Sequence, residues 1–177
     1  SFLQQIESSF GASTGEARLT KKHDVQKERV RDSLAVFDYG DRQVTYTETD
    51  PNDPMRPPRR IASEVRPGTF DMISGIYWLR TKPLAVGSTF DMTVSDSGLV
   101  YKVPVKVTAR ERQKTEIGKV WCWRVEPQVF GPGRLIEREG SMIIWITDDA
   151  RRIPVRSQVN SSIGRFEIKI QSVQNLK

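Results

Sequence analysis

Few residues of this chain are suited to nucleophilic or metal chemistry. Its 177 residues include one histidine, His23, and one cysteine, Cys122. His23 lies in a polar, charged segment that predicts a surface position, whereas a catalytic nucleophile needs a base within hydrogen-bond reach. A lone cysteine supports neither an internal disulfide nor a zinc site, and we expect Cys122 to be a small buried residue. No glycine-rich phosphate loop is present. The sequence therefore predicts a protein that is not an enzyme and has neither metal nor cofactor.

The only paired carboxylates within an apolar context are Asp148 and Asp149, which follow the run MIIWIT. Neighbouring strand residues point to opposite faces, so the pair is poorly placed for acid–base work on one substrate. Short carboxylates favour turns. We expect a structural turn in which Asp148 and Asp149 pair with Arg151 or Arg152, and in which Pro154 begins the returning strand.

Basic residues outnumber acidic ones by 28 to 22, which gives a net charge of +6. This balance permits contact with anionic partners without selecting one. Nucleic-acid recognition requires aromatic residues interleaved with basic ones on an exposed face, whereas the aromatic residues here follow the apolar phase of their strands. We therefore expect no nucleic-acid partner and interpret the basic clusters as solvated strand faces, with lipid headgroups or acidic glycans as the alternative partners. The clusters are Arg56, Arg59 and Arg60; Arg110, Arg112 and Lys114; and Arg151, Arg152 and Arg156.

Most of the chain alternates apolar and polar residues at the period of two that is typical of strands. The longest alternation runs from Leu99 through Val107 to Ala109, and predicts one apolar face with Arg110 on the opposite side. About ten such segments predict a mainly β fold, a curved antiparallel sheet or an open β-barrel, in a single domain over 1–177. No apolar run approaches the about 20 residues of a transmembrane helix.

Two segments depart from this strand pattern. Residues 71–81 have apolar positions at helical spacing after Thr69 or Asp71, either of which is suited to cap a helix. They predict one short helix that covers the sheet. Residues 50–60, DPNDPMRPPRR, contain four prolines without apolar rhythm and predict a surface loop.

A curved sheet with aromatic inner faces is able to enclose an apolar ligand. The alternative is that these side chains simply fill the interior. The candidate ligand-binding residues lie on the helix and on the strands, and are Ile76, Trp78, Leu79, Phe90, Tyr101, Trp121, Trp123 and Trp145.

Three stretches resemble a bacterial family, domain of unknown function 3108. They are residues 70–107, with the core ISGIYWLR followed by PLAVG; residues 118–127, GKVWCWRVEP; and residues 140–156, GSMIIWITDDARRIPVR. The resemblance is good from about Leu34 onward and weaker before it, which implies that the chain lacks an N-terminal part of the family domain. The last hairpin is also remotely similar to that of periplasmic lipoprotein carriers.

The resemblance implies an exported protein of bacteria with an outer membrane, from which a signal peptide has been removed. We therefore expect a non-enzymatic protein of the periplasm or outer membrane that binds a lipid or another apolar ligand in a concave β cup. The alternative is a structural or adaptor module that binds another envelope protein. Such a module would use the Pro-rich loop 50–60 or a sheet edge.

Overall fold

The computed structural model of the protein describes residues 2–174. It is mainly β, with 59% of residues in strands and 6% in helices, as the alternation predicts. The described residues form twelve strands rather than about ten. Their bounds are β1 Phe2–Phe10, β2 Ala17–Gln26, β3 Arg29–Asp38, β4 Gln43–Thr49, β5 Arg59–Glu64, β6 Thr69–Phe70, β7 Thr89–Asp96, β8 Leu99–Thr115, β9 Gly118–Pro127, β10 Gly140–Thr147, β11 Pro154–Ser161 and β12 Gly164–Ile168.

The strands form two sheets instead of one. Strands β1 to β5 make a five-stranded antiparallel meander, and the other sheet has the order β12-β11-β10-β9-β8-β7-β6. The seven-stranded sheet is curled, which confirms the predicted curvature. One pairing departs from the antiparallel prediction, because β6 lies parallel to β7, with Thr69 opposite Thr93. With two residues, β6 is too short to display a sequence period.

The predicted helix over 71–81 is confirmed. Helix α1 spans Met72–Trp78 and continues as a 3-10 helix over Leu79–Thr81. Asp71 caps this helix. Its Oδ1 accepts a hydrogen bond from the backbone N–H of Ser74 at 2.8 Å, and the Ser74 hydroxyl accepts one from the backbone N–H of Asp71 at 3.0 Å. This reciprocal pair satisfies backbone donors that a helix start leaves without partners. The buried Asp71 carboxylate also accepts hydrogen bonds from the hydroxyls of Ser8 and Thr20.

The chain divides into two compact units, and a single-domain organisation stays a prediction. The first contains 2–75 and 93–101. Here the turn between β7 and β8 packs on the five-stranded sheet, where a Cβ on Gly98 would lie 2.6 Å from the Cβ of Tyr46. Only glycine fits this approach, and the φ of Gly98 is +80°, in the left-handed region that favours glycine. Lys22 and Asp96 form an ion pair of 2.6 Å beside this turn.

The second unit contains 76–92 and 102–174. Its apolar interior includes one face of strands β8 to β10, where the register places Val107 opposite Val125 and Val125 opposite Ile144. All three side chains are almost inaccessible to solvent. Ile76 and Leu79 of the helical segment are also buried in this unit. These β8–β10 strands position the candidate site.

Candidate functional site

A bulge in β8 decides which side chains share a face. The pairing of β8 with β9 shifts between Val107 and Ala109, because Thr108 is an extra residue. Beyond the bulge, Arg110 lies on the face of Val107, and Ala109 lies on the opposite face. The prediction that Ala109 continues the apolar face opposite Arg110 is therefore wrong. Each extra residue in a strand reverses the alternation that follows it.

Cross-strand pairs then bring cations and indoles together. Arg110 lies opposite Trp123 and Arg112 lies opposite Trp121, and the tip of the hairpin sets Lys114 against Lys119. Directly opposed residues of an antiparallel pair point to the same side of the sheet. We call this surface the basic–aromatic face; it comprises Arg110, Arg112, Lys114, Lys119, Trp121 and Trp123.

Both arginines lie over the indole of Trp121. The guanidinium carbon of Arg110 is 4.4 Å from the ring centroid, and that of Arg112 is 5.8 Å away. Arg110 also lies 6.0 Å from the ring of Trp123. Cation–π contacts of this length favour guanidinium positions over the ring faces, so the charges are presented beside the indoles rather than on freely moving side chains. Trp121 nevertheless stays 45% exposed.

The face changes from apolar to cationic along the hairpin. Val107, Val125 and Ile146 are fully buried at its inner end. Trp123 follows and is half-buried, and its Nε1 is buried without an acceptor among residues 2–174. Trp121 comes next, and the lysines lie at the tip. A surface with this order is suited to a ligand that is apolar at one end and anionic at the other.

The positive charge of the face is only partly balanced. The Nε of Arg110 donates to the Asp148 carboxylate at 2.5 Å. No ion pair within the described residues involves Arg112, Lys114 or Lys119. Opposed like charges such as Lys114 and Lys119 destabilise a hairpin in the absence of an anion. The tip of the hairpin is therefore electrostatically suited to an external anion.

The predicted turn borders this face. Asp149 organises it: its carboxylate accepts hydrogen bonds from the Thr147 hydroxyl at 2.9 Å and from the backbone N–H and guanidinium of Arg151. The hydrogen bonds from Arg151 lower the pKa of Asp149 to about 2. Arg152 takes a φ of 49°, and Pro154 begins β11 opposite Ile146. Asp148 points instead toward Arg110.

Further hydrogen bonds tie the turn to the segment after the helix. The guanidinium of Arg80 donates to the backbone carbonyl of Arg151 at 2.6 Å, and that of Arg152 donates to the carbonyl of Lys82 at 3.1 Å. Arg80 is itself held over the ring of Tyr77, 5.0 Å from its centroid. These bonds hold the backbone that carries Asp148 in place.

The structure places the eight candidate ligand-binding residues on different elements. Trp121 and Trp123 share the basic–aromatic face, but Trp145 points to the opposite side of the sheet, because it alternates with Ile144 and Ile146. Ile76 and Leu79 are buried, whereas Trp78 and Phe90 are half-buried in the same unit. Tyr101 belongs to the other compact unit. Their role in ligand binding stays a prediction.

The opposite face is closed by its own partners. Trp145 is 5% exposed and donates its indole N–H to Glu111 at 2.7 Å. Arg156 lies over its ring at 5.3 Å and pairs with Glu167 at 2.9 Å. Cys122 is buried beside Trp145, and burial raises the pKa of its thiol to about 11. The thiol is therefore protonated at neutral pH and poorly nucleophilic.

Other candidate chemistry is sparse in the described residues. His23 pairs with Asp32 at 2.5 Å on a partly exposed strand face. No group of three or more His, Cys, Asp or Glu side chains among residues 2–174 is placed to hold a metal ion. No helix within the same residues is long and apolar enough to cross a membrane.

The Pro-rich loop lies between β4 and β5 and is held at its first residue. The Asp50 carboxylate accepts a hydrogen bond from Arg31 at 2.6 Å and from the backbone N–H of Asn52 at 3.0 Å. Met55 projects from the loop with 90% of its surface exposed. Arg59 and Arg60, which the sequence places in the loop region, form the start of β5.

Sequence reasoning missed the partners of Trp121. Arg110, Arg112 and Lys114 were expected on a solvated face, away from the aromatic residues. Since every residue from Arg110 to Glu116 is polar, the segment contains no apolar position whose phase would mark the bulge. The one available signal is the contrast between this polar strand and the two tryptophans of its hairpin partner.

The chain belongs to a known protein family of undetermined role. Residues 2–171 match the family described as "Protein of unknown function (DUF3108)". The match begins well before Leu34, where the sequence resemblance becomes clear, and it includes strands β1 to β3. No match was found among curated proteins or among solved structures. The similarity of the last hairpin to lipoprotein carriers is not confirmed and stays a prediction.

Proposed function

We propose that this chain is a non-enzymatic protein of the bacterial cell envelope that binds an anionic lipid at the basic–aromatic face. The observation that carries this proposal is the partly exposed Trp121 beneath two arginine side chains, next to two lysines that have no carboxylate partner among residues 2–174. The envelope location rests on the export that the family resemblance implies. The proposed binding surface is this partly exposed face, and ligand binding in an enclosed cup stays a prediction.

The cationic half of the face matches a phosphate headgroup. Arginine presents a planar fork of donors that fits phosphate oxygens, and lysine adds a point charge. Arg112, Lys114 and Lys119 lie on one side of a two-stranded tip, so one headgroup can contact more than one of them. Basic residues near an anionic membrane surface each contribute about 1 kcal/mol.

The aromatic half matches the region below the headgroup. Indoles are favoured at the membrane interface, because they combine a large apolar surface with one polar N–H. Trp121 supplies exposed apolar surface, and the Nε1 of Trp123 is a buried donor without an acceptor in the described residues. The exposed surface of Trp121 is suited to the apolar region below a lipid headgroup.

Vesicle binding tests the proposal. We expect the protein to sediment with vesicles of phosphatidylglycerol and phosphatidylcholine in equal parts, and not with phosphatidylcholine alone. The double variant Arg112→Gln/Lys119→Gln removes two of the cations and should lower the partition coefficient about thirtyfold. Trp121→Ala should also weaken binding, while circular dichroism remains that of the wild type.

Lys102→Gln is the matched control. Lys102 lies on β8 before the bulge, on the face opposite Val107, and pairs with Asp91 at 3.2 Å. Its loss removes the same charge from the same strand without touching the basic–aromatic face, so binding should be unchanged. The single variant Arg112→Gln also removes one charge and is the partner of this control. Equal loss of binding in Lys102→Gln and Arg112→Gln would mean that net charge, and not this face, governs binding, and the proposal would be wrong.

A second candidate function is an adaptor that binds another envelope protein through the Pro-rich loop 50–60. It is favoured by Met55, whose side chain is 90% exposed at the tip of a loop that Asp50 and Arg31 hold in place. An exposed apolar side chain on an anchored loop is suited to enter a pocket of a partner.

Site-specific photo-crosslinking in cells distinguishes the two functions. A photoreactive residue at position 55 should yield one discrete protein adduct if the loop is an adaptor, and the same probe at position 121 should not. Lipid adducts at position 121 without a protein adduct at position 55 would support lipid binding and contradict the adaptor.

A further inference from the structure

The basic–aromatic face carries its own anion. Asp148 follows Ile146 and Thr147, and its backbone N–H donates to the carbonyl of Trp121 at 2.8 Å. This bond extends the ladder of β9 and β10 by one residue and directs the Asp148 carboxylate to the side of Trp121. There the carboxylate accepts a hydrogen bond from the Nε of Arg110 at 2.5 Å.

Three other carboxylates of this region are engaged elsewhere, and Glu116 lies in the turn at the tip of the hairpin. Glu111 and Glu126 point to the opposite face, where Glu111 accepts the indole N–H of Trp145 and both lie within 3.9 Å of Arg124. Asp149 is held by Arg151. Asp148 is therefore the carboxylate that an anion meets at Arg110.

We infer that Asp148 determines the affinity and selectivity of this face for anionic headgroups, because it occupies Arg110 as an internal competitor. The inference rests on the proposed function. Arg112, Lys114 and Lys119 receive the headgroup first, and a headgroup that also contacts Arg110 must displace the Asp148 carboxylate. A headgroup without net negative charge gains no binding free energy from displacing Asp148. Asp148 therefore favours headgroups that carry a net negative charge.

The test compares two charge-equivalent variants in vesicle binding. Asp148→Asn is nearly isosteric and keeps the backbone hydrogen bond to Trp121, and it should raise the affinity for phosphatidylglycerol vesicles about fivefold, since one opposing charge is removed. Asp91→Asn is the control, because it removes a carboxylate that pairs with Lys102 at 3.2 Å on the same sheet. It should leave the affinity unchanged.

Salt dependence separates competition from a merely structural role. Asp148→Asn should bind with a steeper dependence on ionic strength than the wild type, because one more cation is available to the headgroup. Equal or weaker binding by Asp148→Asn would overturn the inference, since Asp148 would then position Arg110 rather than compete for it. An equal rise in Asp91→Asn would also overturn it, because net charge would explain the effect.

The outcomes also distinguish this inference from the proposed function. Preference of the wild type for anionic vesicles, weakened in Arg112→Gln, with no gain in Asp148→Asn, overturns the role of Asp148 alone. If neither the wild type nor Asp148→Asn prefers anionic vesicles, both the inference and the proposed function are wrong.

Discussion

The two faces of the β8–β10 region both pack arginine over tryptophan, but they differ in exposure and in charge balance. On one side, Arg156 covers Trp145 and is itself neutralised by Glu167, while the indole N–H bonds to Glu111. On the other side, Arg110 and Arg112 cover Trp121, which remains 45% exposed. One face is complete within the protein, and the other has surplus positive charge and apolar surface.

The difference shows why an arginine–tryptophan contact alone does not identify a binding site. Such a contact stabilises a fold when a carboxylate and neighbouring side chains exclude water from it, as at Trp145. It becomes a candidate site when counter-charges are missing. Charge balance and exposure, more than residue type, distinguish the two faces.

The largest expected contrast is in stability. Trp145→Ala should lower the free energy of unfolding by about 3–5 kcal/mol, because it opens a cavity and leaves Glu111 without its donor. Trp121→Ala should cost about 1 kcal/mol or less, since an exposed ring loses only its cation–π contacts. Urea denaturation measures both. Similar losses in the two variants would contradict the division into a closed and an open face.

The closed face should also protect its thiol. Because burial raises the pKa of Cys122 to about 11 from an ordinary value of 9.0, the thiolate fraction near neutral pH falls about a hundredfold. Reaction with a disulfide reagent should be slower by at least that factor in the folded protein than in urea. The same shift stabilises the fold below about pH 9, and that contribution is lost as pH rises from about 9 to about 11. Rapid labelling of the folded protein would contradict this protection.

Removal of one arginine charge from each face should affect lipid binding differently. Arg112→Gln should lower the affinity for phosphatidylglycerol vesicles about fivefold, whereas Arg156→Gln should leave it unchanged, because Arg156 is paired with Glu167 on the closed face. Sedimentation at low salt measures both. Equal effects would show that the faces do not differ in lipid binding.

The smallest effect on stability is expected for Asp149 in the turn, because its carboxylate bonds within the turn whereas that of Asp148 lies on the basic–aromatic face. The pKa of Asp149 is lowered to about 2 from 3.8 by its hydrogen bonds with Arg151 and Thr147. Its contribution to stability is therefore present above about pH 4 and is lost as pH falls from about 4 to about 2. Asp149→Asn should have a lower urea midpoint than the wild type at pH 6, and the gap should close near pH 2. A gap independent of pH would contradict the proposed hydrogen bonding.

Sequence patterns alone predict the mainly β class, the short helix, the family and the turn at Asp148. These follow from local signals: a period of two in the strands, helical spacing after a capping residue, and carboxylates that end an apolar run. The same patterns also place Trp121 and Trp123 on one face, because they are two residues apart in a regular strand.

The residues that contact Trp121 depend on strand pairing in the folded protein. The bulge at Thr108 leaves no signal in a polar strand, yet it moves Arg110 and Arg112 onto the aromatic face. Pairing between strands likewise separated Trp145 from the other indoles, since its position depends on the alternation of β10 against β9. Strand register is a cooperative property of hydrogen-bonded partners, so local periodicity alone does not reveal it.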